Sequence, residues 1–168
     1  PVEDTMTEHS PEELRRKFWK HLRSDRTAMV GLPGKAAGRP MTALVPEGED
    51  RGPIWFFTAD DTDLGRLTAP APVEMAFVSK GHEIFATVHG KAQVHMDRDM
   101  IDRLWSPYVE AWFEQGKDDP KLRLVRFDAE EAEIWLNASS LFAGIRMWLG
   151  AGDPKEDYRE NVAKVRLA

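Results

Sequence analysis

The chain has 168 residues, a formal charge of −6 from 29 acidic and 23 basic side chains, and a mean hydropathy of −0.50. That length suits one domain with a proper core, and the acidic balance argues against a sequence-independent grip on nucleic acid, which needs clustered Lys and Arg. Cysteine is absent, no apolar run approaches the roughly 20 residues of a membrane helix, and the first residues are acidic rather than signal-like, so a soluble, cytoplasmic protein is expected.

Residues 1–9 read as a loose tail and residues 10–168 as one domain. Ser10-Pro11-Glu12-Glu13 carries a serine cap, a proline at the first helical position and a glutamate placed for a capping box. Leu14, Phe18 and Leu22 then mark the buried stripe of a helix to about Arg23, with His21 beside it in solvent. Arg26 to Leu32 and Arg39 to Val45 read as a hairpin around the turn from Pro33 to Gly38. After a charged loop from Pro46 to Gly52, the aromatic run Pro53 to Thr58 reads as a strand.

Asp60, Asp61 and Thr62 are helix-capping types, and Leu64 and Leu67 lie three apart, so that strand is expected to run straight into a helix, closed by Pro70 and Pro72. Such a junction exposes N–H groups and threonine hydroxyls to an anion, although capping alone explains the same residues. Val73 to Ser79 and His82 to Met96 read as further strands, the second with Gly90 at a bulge or bend. Asp97-Arg98-Asp99 caps a helix that continues or restarts through Trp105-Ser106-Pro107 to Phe113. Beyond the loop from Gly116 to Pro120, Leu122 to Phe127 and Ala132 to Leu136 read as a second hairpin, Ser139 to Leu149 as a C-terminal helix, and Asn161 to Leu167 as a last strand. The expected fold is a mainly β, antiparallel barrel with added helices.

The chemistry legible in the residues is sparse. His89 and His95 share a strand face, but six residues at ~3.3 Å set them about 20 Å apart, so no dedicated metal site is expected. Nucleophile elbows, Walker loops and dinucleotide-binding glycine motifs are absent. If this chain does chemistry, a bound cofactor carries it. Six tryptophans suit an interface or a pocket for a flat ligand, and core packing would also use them; Trp105, Trp135 and Trp148 are assigned to packing.

Arg39-Pro40-Met41-Thr42, Trp55-Phe56-Phe57-Thr58 and Thr62 resemble the flavin-binding core of the pyridoxamine 5′-phosphate oxidase-like split barrels. Leu104-Trp105-Ser106-Pro107, Ala111-Trp112-Phe113, Gly116-Lys117-Asp118-Asp119-Pro120, Leu122 and Leu124, and Ala132-Glu133-Ile134-Trp135 are similar to the general stress protein 26 subgroup, as is the tail with Glu160-Asn161, Lys164-Val165 and Leu167. The resemblance covers about Leu14 to the C-terminus. It implies a homodimer of FMN-binding split β-barrels with two flavin sites at the subunit interface, FAD being the alternative cofactor. It further implies that Arg39, Met41 and Thr42 line the flavin, that Phe57 passes its backbone along the ring system, that Thr58 and Thr62 donate to the phosphate, and that Trp112 arrives from the partner.

The chain departs from the pattern where the family carries Ser-x-Lys and this sequence has Thr62-Asp63-Leu64. The lysine is lost and Asp60, Asp61 and Asp63 crowd the loop; Arg66 and Arg39 are the cations placed to replace it. Two functions follow from the resemblance: a stress-associated, flavin-dependent oxidoreductase acting on a small organic substrate, or a non-catalytic ligand-binding or sensing dimer with an altered phosphate site. A true pyridoxamine 5′-phosphate oxidase would need a second cationic phosphate site, and no convincing Arg/His pair late in the chain resembles one.

Overall fold

The computed structural model describes residues 11–48, 51–138 and 141–149. Helix α1 (Pro11–Asp25) buries Leu14, Phe18, Trp19 and Leu22 completely, and Phe18 meets Phe77 edge-on at 6.3 Å, so the apolar stripe is the face that enters the barrel core. The Ser10 cap, the tail 1–9 and the expected strand Asn161–Leu167 lie outside the described residues. His21, expected in solvent, is half-buried, with Nε2 3.1 Å from the Glu83 carboxylate.

Among the described residues seven strands form one antiparallel sheet: β1 (Thr27–Leu32), β2 (Ala36–Thr42), β3 (Ile54–Ala59), β4 (Ala71–Val78), β5 (Ile84–Val94), β6 (Leu122–Ala138) and β7 (Leu141–Trp148). The neighbour order is β2-β1-β4-β5-β6-β3, with β7 on the second half of β6. The sheet curls until its ends meet, where Leu44 and Trp55 exchange two backbone hydrogen bonds of 2.9 and 2.8 Å. This is the expected split barrel. Ala71, Val73, Met75 and Phe77 of β4 point into it, and the intervening side chains point out.

Strand β6 corrects the expected second hairpin. Its first half pairs β3, its second half pairs β7, and both halves pair β5. The apparent turn at Asp128 to Glu131 is a bulge: Ala129 faces Gly90 and Glu131 faces His89, which leaves Glu130 as the extra residue. The inward set accordingly changes parity, from Phe127 and Ala129 to Ala132 and Ile134. Gly90 is required there, because a Cβ would run into the Asp128 carbonyl oxygen.

Three other expectations also change. No helix follows β3; residues 60–66 form successive turns. The expected C-terminal helix over residues 139–149 is replaced by β7, because the edge of β6 opposite β5 offers unpaired backbone groups that a strand satisfies and a helix cannot. Of the two alternatives for the stretch after Asp97, the helix restarts, as α2 (Arg98–Leu104) and α3 (Pro107–Glu110), capped by the Asp97 and Ser106 side chains. Pro72, read as a boundary, lies inside β4 beyond the residues that pair β1, where its missing N–H is not needed.

A second, smaller core forms where α2 and α3 cover the outer face of β3 and β6, around Trp55, Ile101, Val109, Phe113, Leu122 and Leu124. Trp105 packs there, edge-on to Phe57 at 5.7 Å, as expected; Trp135 is half-buried, and the Trp148 side chain lies outside the described residues. Gly90→Ala is expected to lower stability by about 1 to 3 kcal/mol, measured as a shift of the urea midpoint, because the bulge must open to admit a methyl group.

Candidate functional site

Closure of the barrel at Leu44 and Trp55 alone leaves β2 and β3 apart on one side of that bridge. The gap is a groove of about 650 Å³, within the range of small-molecule sites. Arg39, Met41 and Thr42 line it from β2, Phe57 and Thr58 from β3, Thr62 from the turn beyond, and Trp112 from the segment after α3. The structure thus places these seven residues around one groove, with Trp112 coming from this chain where the resemblance implies the partner's, while Trp55 and Phe56 of the same motif are buried in the cores. Met41 and Phe57 supply half-buried apolar surface, Arg39 is exposed, and Trp112 stands 74% exposed on the rim within the same chain.

Thr58, 8% exposed, sits at the base. Its hydroxyl lies 2.7 Å from that of Thr62, which donates to the Ala59 carbonyl at 3.0 Å and accepts from the Gly65 N–H at 3.0 Å. Since Thr62 has one proton and commits it to Ala59, Thr58 is the donor to Thr62. The expected pair of hydroxyl donors is therefore spent on folding the turn, and an anion would recruit them only by rotating them. Among the described residues the backbone N–H groups of Asp61, Asp63 and Leu64 have no partner, and they are the donors the turn leaves open. Gly65 makes so tight a turn feasible, because a Cβ there would strike the Ala59 carbonyl oxygen.

The electrostatics differ from the crowding expected of three aspartates. Asp63 lines the groove; Asp60 and Asp61 are exposed and do not. Arg39 lines it and Arg66 does not. Leu64, where the family pattern carries lysine, is 6% exposed and belongs to the main core while forming part of the groove wall. Among the described residues no group of three or more His, Asp or Glu side chains is arranged to hold a metal, and no helix is long and apolar enough to cross a membrane.

The rim is held by the segment Gly116 to Pro120. Asp119 accepts from the Gln115 and Lys121 N–H groups at 3.2 and 2.9 Å, and the Lys121 bond, then the Gln115 bond, hold its carboxyl below the usual range. Lys117 approaches Asp102 of α2 at 2.9 Å and lowers its pKa by hydrogen bonding, with help from Arg98, while Arg98 itself is raised by its 2.8 Å bond to Asp118. These bonds fasten the loop to α2, beside Trp112 and Phe113.

A family model described as pyridoxamine 5′-phosphate oxidase like matches residues 13–153. The chain belongs to the pyridoxamine 5′-phosphate oxidase-like family. It is 53% identical to a general stress family protein of Xanthomonas campestris pv. campestris, over 84% of this chain and 99% of that one, with a TM-score of 0.72. It is likewise 53% identical to the general stress FMN/FAD binding protein of Xanthomonas citri, over 83% and 99%, with a TM-score of 0.71. General stress protein 26 of Bacillus subtilis (strain 168) is 33% identical over 52 residues, 31% of this chain, and the match spans 36% of that protein's length.

Relative to the pyridoxamine 5′-phosphate oxidase-like pattern, sequence reasoning missed Arg26 and Tyr108 on the groove wall. Arg26 precedes β1 in an irregular backbone, and Tyr108 carries no periodic signal; neither is marked by spacing. Two predictions concern the scaffold of the site. Gly65→Ala is expected to lower the melting temperature and to disturb the Thr58–Thr62 pair, read in a crystal structure of the variant. Asp119→Ala is expected to lower the melting temperature at pH 7. A carboxyl with a lowered folded pKa contributes stability above its unfolded pKa and loses it as pH falls through the folded one, so the gap should close in acid, below about pH 4.

Proposed function

We propose that this chain binds a flavin, FMN in the first place and FAD as the alternative, in the groove between β2 and β3. The observation that carries the reading is convergence: Arg39, Met41, Thr42, Phe57, Thr58, Thr62 and Trp112 come from separate segments and line one cavity. The residues fit the group. Arg39 and the open N–H groups of Asp63 and Leu64 suit a phosphate, and Met41 and Phe57 offer apolar surface to a flat ring system. Similarity to the FMN/FAD binding protein of Xanthomonas citri supports the same assignment.

When bound, a flavin would supply hydride or electron transfer. The chain's own part is positional: Arg39 and the turn hold the anionic end, Met41 and Phe57 set the plane, and Trp112 on the rim excludes water. We read the working protein as a cytoplasmic, stress-associated homodimer with flavin sites at the subunit interface, acting as an oxidoreductase on a small organic substrate. Tyr108 and Trp112, 66% and 74% exposed at the rim, offer the apolar surface that a second copy would cover. A partner's Trp112 would then add to the one already on the rim.

The second reading is a non-catalytic ligand-binding or sensing dimer. It is favoured by the buried Leu64 in place of lysine and by a groove wall without His, Lys or Glu among the described residues. Titration of flavin-stripped protein with FMN and FAD, followed by fluorescence quenching, separates the two. The expected result is saturable binding at one flavin per chain, weakened about ten- to hundredfold in Arg39→Ala, the loss of one charged hydrogen bond, and less in Thr58→Ala. Colourless protein without flavin affinity would move the assignment to the second reading, whereas wild-type affinity in both variants would overturn the residue assignment. Sedimentation equilibrium should return twice the 19.1 kDa chain mass.

A further inference from the structure

The flavin reading leaves one cation of the groove without a role. Arg26 follows α1 with φ 62°, the left-handed region. Its N–H closes the helix on the Leu22 carbonyl at 2.9 Å, and its own carbonyl accepts from the Ala43 N–H at 2.6 Å. A left-handed residue that closes a helix is by backbone preference a glycine, since a Cβ makes that conformation costly. The chain places there an exposed arginine, one of the residues that line the groove. Its Nε donates to the Arg23 carbonyl at 3.2 Å, which orients the guanidinium stem, while the terminal Nη groups have no partner among the described residues.

The register separates this cation from the other one. Thr27 pairs with Thr42 and Val30 with Arg39, so Arg26 lies beyond the Thr42 end of the ladder and Arg39 toward the hairpin. Three steps from Thr42 to Arg39 span about 10 Å at ~3.3 Å per residue. Between the two, the groove wall mixes apolar Val30 and Met41 with Thr27 and Thr42, and Phe57 and Thr58 line the other side. A ligand with one anionic group engages one of these ends and leaves the other.

We propose that Arg26 is a second anion anchor, and that the groove takes a small organic acid, a carboxylate or phosphate monoester on an apolar body, alongside the flavin. The proposal rests on the flavin reading for the occupant at the Arg39 end. The strained backbone of Arg26 is the cost of carrying a guanidinium at that place, and relieving it should separate stability from binding.

Benzoate and phenyl phosphate are the probes, with benzyl alcohol as the neutral control, titrated by calorimetry into flavin-free and FMN-loaded protein. The wild type is expected to bind both anions and not the alcohol. Arg26→Gly should weaken both anions about ten- to hundredfold, the loss of one charged hydrogen bond, leave FMN affinity unchanged, and raise the melting temperature. Arg26→Lys should retain part of the anion affinity. A wild type that ignores both anions, unchanged anion affinity in Arg26→Gly, or an equal loss of FMN affinity would each overturn the proposal. A wild type that binds the anions but not FMN would overturn the flavin reading, and titrations of Arg39→Ala with and without Arg26→Gly would then decide the role of Arg26.

Discussion

The contact on which this architecture depends is the approach of the Asp128 carbonyl to Gly90. It lets β6 carry one residue more than β5 and still remain paired along its length. Without the bulge, the parity that puts Phe127 and Ala129 inside would put Ala132 and Ile134 outside. With it, one strand serves the barrel through β3 and extends beyond it to β7. The groove is downstream of that arrangement, since β3 is held in place by the first half of β6 and meets β2 at one bridge.

A second local economy governs the site itself. The Thr62 hydroxyl takes the place of a helical turn, bonding forward to the Gly65 N–H and back to the Ala59 carbonyl. The N–H groups of Asp61, Asp63 and Leu64 stay open in this turn, as the first-turn N–H groups of the expected helix would have. Leu64 reinforces this by burial in the core, anchoring the turn from below where the family pattern would extend a cation.

The sequence carried the strand at Val73 to Ser79, the cap of α2, the bulge glycine and the motif residues that line the groove, because each is written in local chemistry. What it concealed is equally specific. Asp128 to Glu131 has the composition of a turn, and only pairing with His89 and Gly90 makes it strand. Residues 141–148 became β7 because β6 had an edge to satisfy, a tertiary demand that local propensity does not express. Asp60 to Thr62 has capping chemistry, but Gly65 pressed against Ala59 closes the chain too tightly for a helix. Arg26 was hidden because its importance lies in a left-handed backbone at a junction, not in any spacing.

The single bridge between Leu44 and Trp55 also makes the barrel a clasped ring rather than a continuous one. Two hydrogen bonds close it, whereas every other neighbouring pair of strands is joined by a ladder. Opening there would part Met41 and Leu44 from Phe57 and Thr58, the opposed walls of the groove, while the rest of the sheet stays paired. The clasp is therefore the natural breathing point of the molecule, and amide exchange at Leu44 and Trp55 would report on it directly. A ligand lying between β2 and β3 would act as a rivet across that clasp, so the groove's occupant also becomes part of what holds the barrel shut.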